Sequence, residues 1–146
     1  MVNYTFLATE LLKCLCASAD AKHQRSTEDF THGEMRILSL LSDKGDGISP
    51  TDICELSSMT TPRISAAIAS LTKKELVLRQ TDERDKRRLR IYITDKGRAL
   101  VDAKKKELTD SLADLLMHLG ETDAKEYVRI MERIREDALC EKSTVL

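Results

Sequence analysis

The sequence predicts a mainly α-helical chain with one small β-hairpin, in which two short helices in tandem precede the hairpin and longer helices stand at both ends. Three observations predict it. Apolar residues recur at three-to-four spacing over most of the 146 residues. That spacing gives way to strand-like, β-prone stretches only at Val77–Thr81 and Arg90–Thr94. Helix-start signals occur twice in close succession, Ser49-Pro50 and then Thr60-Thr61-Pro62.

From roughly Asn3 to His23, Leu7, Leu11, Leu12, Leu15 and Ala19 share one helical face. A second helix starts at Thr31, where Thr31 and Glu34 have capping-box spacing; Met35, Leu38 and Leu41 form its inner stripe, and Gly45 ends it. Ser49 caps a short third helix with Pro50 in its first turn, Asp52 favoured by the helix dipole, and Ile53 and Leu56 facing inward. A fourth helix, Arg63 to Lys74, presents Ile64, Ile68 and Leu71 on one face. Two short, separately capped helices a few residues apart describe a helix-turn-helix. The hairpin behind them, turning through the charged stretch Asp82–Leu89, is a wing. Thr94 or Asp95 then caps a long helix to about Leu119 with Leu108, Leu112, Leu115 and Leu119 as its stripe, and Gly120 breaks it. The last helix, from Thr122 to about Cys140, is expected to bury Val128, Met131, Ile134 and Leu139.

Composition narrows the function classes. An apolar content of 41% is too high for a disordered chain, and no apolar run approaches the ~18 residues that cross a bilayer. The first residues lack the pattern of a secretory signal, so a cytoplasmic protein is expected. The four cysteines have neither CxxC spacing nor the density of a disulfide scaffold. Motifs for phosphate-cradling loops, nucleophile elbows and zinc proteases are absent, so no enzyme activity is expected. His23, His32 and His118 are scattered, and neither a metal nor another cofactor is expected.

Net charge is −1, which by itself points to no nucleic-acid partner. Its distribution does. Between Arg63 and Arg90, nine basic residues face four acidic ones, a local charge of +5 against −6 over the remainder. A solvated basic loop is an ordinary feature of proteins, but one directly behind a helix-turn-helix is placed to meet duplex DNA. On the fourth helix, Arg63, Ser65, Ala66, Ala69 and Ser70 face away from the apolar stripe, and most are short enough to enter a major groove. Arg63 is suited to a guanine edge, Ser65 to a phosphate or base, and Ala66 to a thymine methyl. Thr60 and Thr61, with the exposed amides of the helix start, would hold a backbone phosphate, with Ser49, Pro62 and Lys73 as further candidate contacts. A plain packing helix with a small-residue face is the competing reading of Ala66, Ala67 and Ala69.

Helix, capped helix, helix-turn-helix, wing and two terminal helices, at this length, resemble the MarR family of multiple-antibiotic-resistance regulators. The most specific stretches are Leu76-Val77, Asp82-Glu83-Arg84-Asp85-Lys86-Arg87-Arg88 and Ile93-Thr94-Asp95-Lys96-Gly97. The resemblance implies a winged region over about 31–94 and dimerisation helices over about 1–30 and 95–146. It implies a homodimer on a pseudo-palindromic operator, acting as a transcriptional repressor that answers a small-molecule effector or a stress. A wing arginine, Arg87 first and Arg84 or Arg88 as alternatives, would enter the minor groove, with Asp85 positioning it by an ion pair and Lys86 beside it. Ala66 stands where relatives often carry Arg or Lys, and Glu75 where they usually carry Gly, so the turn into the wing is open to difference. Cysteines in the first helix of some members sense peroxides, which makes Cys14 and Cys16, with Cys140 of a second copy, candidates for redox control. Small buried hydrophobes are the plainer reading of those thiols. A winged helix that binds only protein is the remaining alternative.

Overall fold

The computed structural model describes residues 1–22, 30–45 and 47–143, with side chains at 16–22, 30–32, 138–139 and 141–143 outside that description. The expectations for Cys16, Ala19, His23, Thr31, His32 and Leu139 fall outside it. Six helices and one hairpin are described: α1 Tyr4–Lys22, α2 Phe30–Lys44, α3 Pro50–Ser57, α4 Thr61–Lys73, β1 Val77–Thr81, β2 Leu89–Ile93, α5 Asp95–Leu119 and α6 Glu121–Ser143. The chain divides into two compact units, Ser26–Ala103 and the pair Met1–Arg25 with Lys104–Leu146.

The first of these units is built on Ile37, Leu38 and Leu41 from α2, Ile53 from α3, Ile64, Ala67, Ile68 and Leu71 from α4, and Val77 and Ile91 from the hairpin. The apolar faces expected for α2 and α4 are therefore the buried ones. Ser49 caps α3, its Oγ accepting the amide of Asp52 at 3.1 Å. Ser58 closes the same helix in the left-handed region at φ 55°, its N–H donating to the Cys54 carbonyl. Leu56 does not face inward: it lies on the outer side of α3 and is exposed, because Ile53 and Ser57 take the two inward places on this two-turn helix.

Glu34 also departs from expectation. α2 already includes Phe30, and the Glu34 carboxylate, buried, accepts a hydrogen bond from Lys74 at the end of α4 at 2.7 Å instead of turning back on its own helix. Burial, the largest single influence, pushes this carboxyl up, but hydrogen bonds from Lys74 and Ser70 and the Lys74 charge outweigh it and hold it below the ordinary glutamate value.

The exit from α4 is a Schellman turn. The Leu76 amide donates to the Leu71 carbonyl and the Glu75 amide to that of Thr72, both at 3.0 Å, with Glu75 at φ 61° in the left-handed place that glycine usually takes. Strand β2 then pairs antiparallel with β1, Val77 opposite Ile93 and Thr81 opposite Leu89, one residue earlier than the alternation suggested. Its other edge receives Ile48, which exchanges two backbone hydrogen bonds with Ile91 at 2.9 and 3.0 Å.

Thr94 is the cap of α5. Its Oγ1 accepts the Gly97 amide at 3.1 Å and donates to the Glu75 carbonyl at 2.8 Å, while its own amide donates to the Leu76 carbonyl at 3.1 Å. Lys96 Nζ adds a bond to the Lys74 carbonyl at 3.1 Å. The segment Ile93-Thr94-Asp95-Lys96-Gly97 thus ties the start of α5 onto the end of α4. Gly97 is required there, since a Cβ would sit 2.3 Å from the Leu76 carbonyl oxygen.

The second unit packs α1 along α6 around Ala8, Leu11, Ala113, Leu116, Ala124 and Val128. Here the long-helix stripe is corrected. Leu108, Leu115 and Leu119 are exposed, as is Ile134 on α6, while Ala113 and Leu116 make the buried face of this stretch of α5. Among the described residues, Leu112, Ala113 and Leu116 are the α5 side chains that pack into this cluster with α1 and α6.

Candidate nucleic-acid interface

The outer face of α4 is short, polar and open. Thr61, Pro62, Arg63, Ser65, Ala66, Ala69 and Lys73 are all exposed, and the opposite face is the core. Thr60 is the cap residue by backbone, in extended conformation, but its side chain makes no capping bond. Thr61 Oγ1 lies 3.7 Å from Cys54 Sγ on α3. Ser70 is set differently from the rest: it is half-buried and bonded to Glu34, turned toward α2 rather than outward. Ser49 is half-buried, with its oxygen committed to the α3 cap.

The wing tip is a closed and ordered turn despite its charge. Asp82 N–H donates to the Arg88 carbonyl at 2.8 Å, and Arg88 N–H to the Asp85 carbonyl at 2.9 Å. The second bond closes a four-residue turn that puts Lys86 and Arg87 at its corners. Two aspartates brace it through the backbone: Asp82 Oδ1 accepts the Arg84 amide at 2.9 Å, and Asp85 Oδ1 accepts the Arg87 amide at 3.1 Å. The Asp85 ion pair goes to Arg88 Nε at 3.6 Å rather than to Arg87. Among the described residues no carboxylate pairs with Arg63, Lys73, Arg84, Lys86 or Arg87, so the exposed cations of α4 and the wing tip are left available to an external anion.

Asp82 and Arg90 were not singled out from sequence as site residues, and the hairpin brings them together. Arg90 Nε donates to Asp82 Oδ2 at 2.8 Å, and Arg90 Nη1 to the Gly47 carbonyl at 3.2 Å. The Arg90 hydrogen bond, followed by that of the Arg84 amide, holds the Asp82 carboxyl below the usual aspartate value, and Asp82 in turn raises Arg90. The sequence signal was an acid and a base eight residues apart across a turn, which becomes a pair only once the strand register is known.

The candidate thiols lie elsewhere. Cys14 on α1 is fully buried, and burial, the largest influence, pushes its thiol up; Glu132 and Glu10 push the same way and Arg135 opposes them. A thiol held protonated and away from solvent is a poor nucleophile. Cys140 is exposed on α6. No group of three or more metal-ligating side chains occurs among the described residues, and none of their helices is long and apolar enough to cross a membrane.

Comparison with known proteins agrees with this architecture. Residues 28–88 match the model of the MarR family. Over 82 residues the chain is 29% identical to the HTH-type transcriptional repressor YetL of Bacillus subtilis (strain 168), a match covering 56% of this chain. The matched stretch takes in about half (49%) of that relative's length. Among solved structures, the MarR transcriptional regulator from Methanosarcina mazei Go1 aligns with 25% identity and a TM-score of 0.55, covering 73% of this chain and 76% of that one. MepR, a transcription regulator of the Staphylococcus aureus multidrug efflux pump MepA, aligns with 23% identity and a TM-score of 0.60 over 88% of this chain and 96% of its own. Wild-type MarR from E. coli aligns with 18% identity and a TM-score of 0.61, over 89% and 85% respectively, a likeness of fold. With the helix-turn-helix, the braced wing and the Thr94–Gly97 tie in place, residues 28–88 match the MarR family model and the chain is similar in fold to MarR-family regulators.

Proposed function

We propose that this protein binds double-stranded DNA as a homodimer and regulates transcription, as a repressor, in response to a small molecule or a stress. One observation carries the reading: the exposed, short-side-chain face of α4 and the wing-tip cations Arg84, Lys86 and Arg87 are free of carboxylate partners among the described residues. The repressor sense is supported by the name of the Bacillus subtilis relative. Dimerisation is supported by the large apolar side chains exposed on α5 and α6. Two-fold symmetry would set the two α4 helices about 34–36 Å apart, one turn of duplex.

In this reading Arg63, in the first turn of α4, meets base edges, and Arg87, at the corner of the wing turn, meets the backbone or the minor groove. Gel-shift titration on the DNA upstream of the protein's own gene separates the two roles. Arg63→Ala should relax discrimination at one base position per half-site, at a cost of roughly 1–3 kcal/mol. Arg87→Ala should weaken binding to all sequences alike and lower the magnitude of the salt slope by about two, roughly one for each protomer of the homodimer. Uniform weakening by Arg63→Ala would make it a phosphate contact, and an unchanged slope for Arg87→Ala would remove that residue from the interface.

A further inference from the structure

Arg90 belongs to the same basic cluster as the wing tip, yet its surroundings differ from those of its neighbours. Arg84, Lys86 and Arg87 project with no carboxylate partner among the described residues. The Arg90 side chain is committed at two places, Asp82 Oδ2 at 2.8 Å and the Gly47 carbonyl at 3.2 Å. Asp82 is committed as well: its other oxygen holds the Arg84 amide, and its own amide is bonded to the Arg88 carbonyl. One continuous path therefore runs from the α2–α3 turn at Gly47, through the Arg90 guanidinium and the Asp82 carboxylate, into the backbone of the wing tip. The Ile48–Ile91 backbone pair anchors the base of the wing next to it. Gly47 itself is fixed by a left-handed φ of 64° and by the Tyr92 ring, which a Cβ at that position would meet at 2.6 Å.

We propose that Asp82 and Arg90 are positioning residues for DNA binding: together they strut the wing against the α2–α3 turn and aim Arg84 and Arg87, and Arg90 contacts no phosphate. The inference rests on the DNA-binding reading above. Its chemistry sets it apart from a simple charge effect. Asp82 is an acid beside the surface that would face phosphates, so removing its charge should strengthen binding if electrostatics alone decided. A strut predicts the reverse, because the wing cations would lose the fixed geometry that lets them engage the duplex together. Arg90→Lys keeps the charge but lacks the planar fork that reaches two acceptors at once. A phosphate contact would tolerate that change, and a strut would not.

The test uses the full-length protein and a labelled duplex selected by the wild type from a random pool, with thermal midpoints measured to confirm folding. Asp82→Asn is expected to weaken binding roughly tenfold, the scale of losing hydrogen bonds to a charged group, despite removing a negative charge. Arg90→Lys should weaken it comparably. Arg87→Ala should cost much less in the Asp82→Asn background than in the wild type, a non-additivity that a general loss of stability would not produce. Without any DNA present, trypsin should cut faster within residues 84–88 of Asp82→Asn than of the wild type. Wild-type or tighter binding by Asp82→Asn, or wild-type binding by Arg90→Lys, would overturn the strut while leaving DNA binding intact. A wild type that selects no duplex at low salt would overturn the DNA-binding reading itself, and the strut with it.

Discussion

At Gly97 the backbone of α5 passes so close to the end of α4 that only a hydrogen fits between Cα and the Leu76 carbonyl oxygen. Gly97→Ala should therefore destabilise the protein by about 2–3 kcal/mol, since neither the helix nor the Leu76 backbone can move without breaking the bonds of Thr94. Urea denaturation measures it, and a change within 0.5 kcal/mol would show that the junction relaxes freely. The sequence marked Gly97 only as part of a motif; the physical reason for the glycine became visible once the two helix ends were seen to touch. The same limit explains Asp82 and Arg90. Composition announced their charges, but which acid faces which base depends on a strand register that one residue of slip would change. Asp85 shows the other side of this: of the three wing arginines offered for its ion pair, the partner is Arg88, an alternative, while Arg87, the first choice, is held through its backbone amide.

Elements were more legible than contacts. Caps and prolines at Ser49-Pro50 and Thr60-Thr61-Pro62 placed α3 and α4 within a residue or two, because those signals act locally. Ile48 carries no strand signal, since a single-residue bridge has no period to read. Leu56 misled for a related reason: on a helix of eight residues, three inward places cannot be told from two by spacing alone. The turn from α4 into β1 is a case where a non-glycine residue takes the left-handed place that glycine usually fills at a helix end. Glu75 holds a left-handed conformation that costs an L-residue roughly 1 kcal/mol, and its exposed approach to Lys96 at 3.9 Å offsets little of that. Glu75→Gly should raise stability by about 0.5–1 kcal/mol, read as a higher urea midpoint at unchanged slope. A lower midpoint would mean that the Glu75 side chain contributes more than the conformation costs.

For the molecule as a whole, the sequence supplied an apolar stripe on α5 without saying what covers it. Leu108, Leu115 and Leu119 on α5 and Ile130 and Ile134 on α6 remain exposed in the single chain, alongside Met117 and Tyr127. Periodicity reports that a face is apolar; it does not distinguish a partner within the chain from a second copy. Under the proposed homodimer these residues are the ones to be covered, and Leu115→Glu should shift the protein toward monomer by sedimentation while keeping its helical circular dichroism. A fully dimeric Leu115→Glu would place the interface elsewhere. The concentration of basic residues on α4 and the wing, against an acidic remainder, belongs to this scale too. If Arg84, Lys86 and Arg87 of both protomers each neutralise one phosphate, the logarithm of affinity should fall with the logarithm of salt at a slope of roughly −5. Measuring that slope for the wild-type dimer on a duplex of about 30 base pairs, long enough for two half-sites one turn apart, is the most direct test. A steep linear loss of affinity at about that slope is the predicted result, and binding that ignores salt, or no binding to any duplex at low salt, would contradict it.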